Sequence, residues 1–264
     1  MKTFAISLQK NKIRREYIIK HLNKLNLDYE IFDAIDGQKL TKEDIAKYCS
    51  TEIIHQYPSK DYNEGVIGCA LSHYSIYKKI VEMKLKCAFV IEDDIVLPVN
   101  IKDILDELEQ NIKKNEIILL YYFGTGSKPF RISVIGEQIL KTGRLLYPIG
   151  FPYSASAYVI DSEAALNLSK QYLPIRSAAD CWQKFYDRGM FNSLRVLYPS
   201  TLRNAPFQSS IGHVNKKDFL NRYRNISLIR SILKIKRKNR ITNARSKIVL
   251  VSEESPIYKK LLSS

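Results

Sequence analysis

Apolar runs of strand length alternate with segments of helical period over the first 200 residues. Residues 3–8 read as a buried strand opening the fold, and residues 11–26 as a helix with Ile13, Tyr17, Ile18, His21, Leu22 and Leu25 at helical spacing. A second strand at 29–32 is followed by the turn signal Asp36-Gly37. Residues 41–48 suit a short helix capped by Thr41, and residues 50–63 are polar and irregular. A long helix over 64–85 carries Val66, Ile67, Ala70, Leu71, Tyr74, Tyr77, Ile80 and Val81 on one side. The continuous apolar run at 87–91 suits a central parallel strand. Helix is expected over 101–113, strand over 116–123, and a variable insertion over 128–143. Strand 155–160, helix 162–172, helix 180–188 and strand 194–198 follow. This alternation predicts an α/β fold with a mostly parallel central sheet, and no repeat or linker divides the body.

Composition narrows the picture. The 264 residues carry a net charge of +15, with 45% hydrophobic residues, enough for a sizeable core. The charge is concentrated: residues 216–247 hold twelve Lys/Arg against Asp218 alone, which leaves 30 basic and 26 acidic residues elsewhere. The body is therefore near neutral, and a nucleic-acid role for the whole chain is not expected. A helix is expected over 216–238, partly packed and partly presenting a basic surface to an anionic membrane; a solvated helix is the plain alternative. Cys49, Cys69, Cys87 and Cys181 form no C-x-x-C pair and show no histidine at a ligand spacing, so free thiols are expected rather than disulfides or zinc. The apolar runs are too short to span a bilayer or to make a signal peptide, so a cytoplasmic location is expected.

The chemistry concentrates at Glu92-Asp93-Asp94. Three carboxylates directly after a buried strand repel one another unless something offsets them. Ligands of α/β sheets bind outside the carboxyl ends of the strands. A divalent cation bound there would hold a phosphorylated substrate, whereas a solvated acidic turn or a helix cap would leave the same pattern. Asp180 is either a second functional acid or the cap of the helix that follows, and His213 is either a ligand or a solvated loop residue. His73 follows Ser72 within a helix and has no acid locally spaced for a triad, which argues against nucleophilic hydrolysis. Neither a phosphate-binding G-x-x-x-x-G-K-[ST] loop nor a G-x-G-x-x-G turn is present.

Several segments together resemble a family. They are Ala5-Ile-Ser-Leu8 with Arg14-Arg15, Phe32-Asp-Ala-Ile-Asp-Gly37, Gly65-Val-Ile-Gly-Cys-Ala-Leu-Ser-His73, Phe89-Val-Ile-Glu-Asp-Asp94, Ser156-Ala-Tyr-Val-Ile160 and Gln208-Ser-Ser-Ile211. The chain over about 1–213 is similar to glycosyltransferase family 25, the lipopolysaccharide and lipooligosaccharide galactosyltransferases. The resemblance implies a single GT-A-like catalytic domain over 1–213, with residues 214–264 as a basic helical appendage. It implies inverting transfer of galactose from UDP-galactose, with Mn²⁺ or Mg²⁺, to a lipooligosaccharide acceptor at the inner face of a bacterial membrane. Another UDP-sugar, glucose or GlcNAc, would use the same machinery. Carried over by position, Glu92 takes the ribose side, Asp94 the metal, and Asp93 either task. Asp180 becomes the base and His213 a second metal ligand. Ser72 and His73 mark the site helix, Arg14 meets the pyrophosphate or uridine, and Ala34, Asp36 and Gly37 line the uracil pocket. E-D-D stands where such enzymes commonly have D-x-D.

Overall fold

The structure, a computed structural model, describes residues 1–54, 60–124, 130–207 and 248–251. A nine-stranded sheet organises it, in the order β11-β6-β7-β9-β5-β8-β3-β1-β2. The strands are β1 (Lys2–Ser7), β2 (Tyr29–Asp33), β3 (Cys87–Glu92), β5 (Glu116–Leu119), β6 (Phe130–Ile139), β7 (Arg144–Pro148), β8 (Ala157–Asp161), β9 (Ser193–Tyr198) and β11 (Ile248–Val251). A two-stranded ribbon pairs β4 (Ile95–Val96) with β10 (Arg203–Asn204). The helices are α1 (Lys12–Lys24), α2 (Lys42–Tyr48), α3 (Thr51–Ile54), α4 (Lys60–Glu82), α5 (Ile101–Asn111), α6 (Ser162–Gln171) and α7 (Trp182–Asp187).

β2, β1 and β3 are parallel neighbours, as are β5 and β9. β8 lies antiparallel between β3 and β5, so five of the six central strands run one way. This is the α/β, mostly parallel core that the sequence implies. Alternation along each strand divides the core between the two faces. Phe4, Val90, Leu119 and Tyr158 meet α4, α6 and α7 on one face. Ala5, Phe89, Ile118 and Val159 meet α1 and α5 on the other. Both faces are covered, so the strands read as unbroken apolar runs. In α5, Ile101, Ile104, Leu105 and Leu108 are all buried, the i, i+3, i+4, i+7 stripe of an amphipathic helix. Thr41 caps α2 as expected and forms a full capping box with Asp44.

Three expectations need correction. The 128–143 segment, expected as a variable insertion, holds regular structure: β6 and β7 form a hairpin that extends the sheet. Its register shifts between Ser133 and Gln138, where Gly136 takes the positive φ of 74° that a bulge requires. That shift breaks the period-2 signal. The irregular 50–63 stretch contains α3, which buries Ile53, and the start of α4. Within 214–264, Ile248–Val251 is a strand paired antiparallel with β6. The helix expected over 216–238, the basic segment 216–247 as a whole and Gln208-Ser-Ser-Ile211 lie outside the described residues. Among the described residues, no helix is long and apolar enough to cross a membrane.

Candidate active site

The parallel order β2-β1-β3 brings three carboxyl ends to one edge of the sheet. They carry Ser7 and Leu8, the 33–37 loop, and Glu92-Asp93-Asp94. Together with α4 these segments line a crevice of about 120 Å³. Arg14, Ala34, Asp36, Gly37, Ser72, Glu92, Asp93 and Asp94 all border it. Eight residues singled out from separate stretches of sequence therefore share one site.

The loop is held on α4 by direct backbone contact. A Cβ on Gly37 would stand 1.7 Å from the Glu64 carbonyl oxygen, and one on Gly68 would stand 2.5 Å from that of Ile35. The two glycines are therefore required by close approach. Ser72 completes the joint: the Ile35 N–H donates to its Oγ at 2.8 Å, and Oγ donates to the Gly68 carbonyl at 2.7 Å. Asp36 caps the 37–39 turn through the Gln38 N–H and pairs with Lys10 at 2.7 Å.

The three acids differ in what they touch. Asp93 is buried, accepts from Ser7 Oγ at 2.7 Å and pairs with Arg14, so both its oxygens are engaged within the protein. Arg14 also reaches Asp94 Oδ2 at 2.8 Å. It therefore pairs with two of the acids while also bordering the crevice, where pyrophosphate or uridine is expected. Asp94 Oδ1 is buried and has no hydrogen-bond partner. Burial, with the nearby Glu92 charge, pushes the Asp94 carboxyl up to about 6. Burial pushes the Glu92 carboxyl up too, but His73 and Ser156 Oγ, at 3.0 Å, outweigh it and hold that group below its ordinary range. None of the three caps α5, whose N-cap residue is Asn100.

The pH dependence of stability follows from Asp94. Its folded form holds a proton that the unfolded chain releases near pH 4. Stability from this group is therefore full below about pH 4 and declines as pH rises to about 6. In chelator-treated protein, Asp94→Asn is expected to lie close to the parent at pH 4 and to exceed it by about 2–3 kcal/mol at pH 7. Urea unfolding at both pH values measures this; parallel pH curves for the two proteins would contradict it.

Asp180 lies outside the crevice lining but is joined to it. Its Oδ2 accepts from the Ser154 N–H at 3.3 Å, Ser154 Oγ accepts from the Ser156 N–H at 3.1 Å, and Ser156 Oγ donates to Glu92. Ser154 has a φ of 98°, a strained value for a non-glycine residue, and its carbonyl is held by Trp182 Nε1 at 2.9 Å. Burial raises the Asp180 carboxyl above its ordinary value, and Glu92 adds to this. Asp180 does not cap α7; Cys181 occupies the N-cap position without a side-chain cap bond. His73 is fully buried, with Nδ1 2.7 Å from the Tyr158 hydroxyl and Nε2 3.7 Å from Glu92 Oε1. Of the two aromatics near Gly150, Phe151 packs against Tyr186 and Phe191, while Tyr153 is exposed and stacks on Phe123.

His213 lies outside the described residues. The chain reaches the acidic motif shortly before it: β10 pairs with β4, and the Ala205 N–H donates to the Asp94 carbonyl at 2.6 Å. Sequence reading passed over Ser154, Ser156, Lys10 and Cys69. Ser156 and Cys69 stand inside the quoted motifs, and the helical interval from Cys69 to His73 was the available signal for the latter.

A crevice at the carboxyl ends of parallel strands, walled by a glycine-packed loop and an acidic triplet, is the site of an α/β ligand-binding protein. The family model for glycosyltransferase family 25 (LPS biosynthesis protein) matches residues 1–136, and the chain belongs to that family. Procollagen galactosyltransferase 2 of Homo sapiens is 29% identical over 171 residues, covering 62% of this chain and 26% of that protein. A glycosyltransferase 25 family member of Aedes aegypti is 28% identical over 171 residues, covering 64% of this chain and 28% of its own length. The chain thus spans only about a quarter of these relatives. The solved inositol-1-phosphate CTP transferase of T. maritima aligns with a TM-score of 0.37 at 9% identity, over 83% of this chain and 94% of that one.

Proposed function

We propose that the chain is an inverting glycosyltransferase that moves galactose from UDP-galactose to a terminal sugar of a lipooligosaccharide or lipopolysaccharide acceptor. The observation that carries this is the shared crevice: loop 34–37, Glu92 and Asp94 converge there, with one Asp94 oxygen buried and unpartnered. Galactose is favoured by the name of the human relative, and the acceptor class by the family description.

Ala34, Asp36 and Gly37 form the wall suited to the uracil, and Glu92 the side facing the ribose. Mn²⁺ or Mg²⁺ fits at Asp94, because its orphaned Oδ1 supplies the hard oxygen ligand such ions take. His213, eight residues after Ala205, is the second ligand in this reading by its place in the sequence. A cation held there would neutralise charge on a diphosphate leaving group. Arg14, paired with both Asp93 and Asp94, positions Asp94. In the displacement, an acceptor hydroxyl oxygen bonds to the anomeric carbon as the carbon–phosphate oxygen bond breaks. UDP departs with the electron pair, and the hydroxyl proton passes to Asp180.

A donor panel of UDP-sugars with Mn²⁺, with and without truncated lipooligosaccharide acceptors, tests the reading by UDP release. UDP-galactose with an acceptor is expected to give turnover; no release from any pair would end the enzyme reading. Asp94→Asn is expected to weaken Mn²⁺-dependent UDP binding at least as much as loss of an outer-shell partner does, about 10–100-fold. Calorimetry measures it, and unchanged binding would remove Asp94 from the ligand set.

A further inference from the structure

We propose that Cys69, His73 and Glu92 form a second cation site, selective for a thiophilic divalent ion of the zinc class and separate from the Asp94 position. The inference does not depend on the glycosyltransferase reading; with an ion bound, Glu92 Oε1 would be taken by it and only Oε2, which Ser156 holds, would remain toward a ribose. Cys69 and His73 are one helical turn apart on α4, so their side chains share a face. The expectation that no histidine stands at a ligand spacing from a cysteine therefore does not hold. Glu92 ends β3 opposite that face. Its Oε1 lies 3.9 Å from Cys69 Sγ and 3.7 Å from His73 Nε2, and the three donor atoms all lie within 4.8 Å of one another. Tetrahedral zinc, with bonds of about 2.3 Å to sulfur and about 2.0–2.1 Å to nitrogen and oxygen, places donors about 3.4–3.6 Å apart. The two glutamate distances are within a few tenths of an ångström of that.

The histidine is prepared for the task. The Tyr158 hydroxyl donates to the Tyr77 hydroxyl at 3.2 Å, which leaves its oxygen, 2.7 Å from His73 Nδ1, placed to accept from that nitrogen. Nε2 is the nitrogen that faces Glu92, and with Cys69 Sγ and a Glu92 oxygen it forms the cluster of three donor atoms. Nε2 is fully buried and has no hydrogen-bond partner. Such an outer partner on the distal nitrogen is what orients metal-binding histidines. Ser156 Oγ holds the other Glu92 oxygen, fixing the carboxylate. The donor set also differs in kind from that at Asp94. Thiolate and imidazole select zinc-class ions, whereas carboxylate oxygen suits Mn²⁺ and Mg²⁺. Cys69 and Glu92 both border the crevice, so an ion would reach the site from it.

Cobalt(II) titration of chelator-treated full-length protein tests this directly. The expected result is a near-ultraviolet thiolate-to-cobalt charge-transfer band with the intense visible bands of a tetrahedral site, both abolished by added Zn²⁺. Cys69→Ser is expected to lose the charge-transfer band and to bind Zn²⁺ about 100-fold or more weakly, since a direct ligand counts for at least as much as an outer-shell partner. Asp94→Asn is expected to keep the band. No band in the folded parent, or a band that survives in Cys69→Ser, would overturn the proposal and leave His73 and Glu92 as an ion pair only. Should Cys69→Ser not fold, zinc-edge X-ray absorption of the parent decides instead: one sulfur neighbour supports the site, and an all-nitrogen/oxygen shell refutes it.

Discussion

Replacing Asp180 with asparagine is expected to lower the transfer rate about 10²–10⁴-fold while leaving Mn²⁺-dependent UDP binding unchanged. The carboxylate oxygen that would take the acceptor proton becomes an amide that cannot. The substitution preserves volume, and either its oxygen or a slight shift keeps the bond from the Ser154 N–H. The environment suits a base: burial raises this carboxyl above the ordinary aspartate value, which brings its proton affinity nearer to that of the working solution. Loss confined to kcat, with the KM for donor preserved, would place the effect in the transition state. Near-normal turnover by a folded Asp180→Asn protein would exclude Asp180 as the base. Ser154 provides an internal comparison, because its strained backbone is held by Trp182 and by Asp180 together. A mutation that only loosened the loop would perturb both.

The largest stability effect is expected far from the crevice, at Arg195 and Glu116. These groups are essentially without solvent exposure. Arg195 Nε and Nη2 donate to the two Glu116 oxygens at 2.8 and 2.7 Å, Nη1 reaches Gln138 at 2.6 Å, and Nη2 also reaches the Asn111 carbonyl at 2.9 Å. Glu116 further accepts from Ser193 Oγ at 2.6 Å and from the Lys113 N–H at 2.8 Å. The cluster joins β5, β9, β6 and the end of α5. Removing one partner leaves a buried charge without its counterion, at a cost of about 3–5 kcal/mol. Arg195→Met is expected to fall in that range by urea unfolding. Adding Glu116→Leu to it is expected to recover much of the loss, because no charge then remains to be solvated. A single-mutant cost below about 1 kcal/mol would show that the pair is solvated in practice.

The parts of this molecule that sequence disclosed are those with one dominant physical cause. The run at 87–91 is apolar because both faces of β3 are covered, and the acids that follow are conspicuous because burial makes them costly. The 34–37 and 65–73 motifs were visible as glycines and serines at fixed places. Their meaning, two backbones in contact through Gly37 and Gly68, needed three dimensions. Strand direction was out of reach: β8 has the same apolar pattern whether it runs with or against its neighbours. The β6–β7 hairpin escaped because, among its residues with described burial, Ile132, Leu145 and Leu146 are the buried apolar positions, and the Gly136 bulge disrupts alternation. The Cys69–His73 pair is not conspicuous in sequence because its spacing has meaning only on a helix, where groups four residues apart share a face.

The antiparallel insertion of β8 has a consequence for the order in which the protein assembles. β3 and β5 are close in sequence, yet they are not adjacent in the sheet; β8, some seventy residues after β3, must enter between them. The β2-β1-β3 unit, by contrast, pairs strands available early in synthesis. A nascent chain that has emerged only to residue 136, the span of the family match, holds the crevice wall and all three acids. It lacks the strand that closes β3, along with Ser156 and Asp180. The side proposed for the donor is thus encoded in the early chain, and the side proposed to accept a proton is joined to it only once β8 has paired with β3.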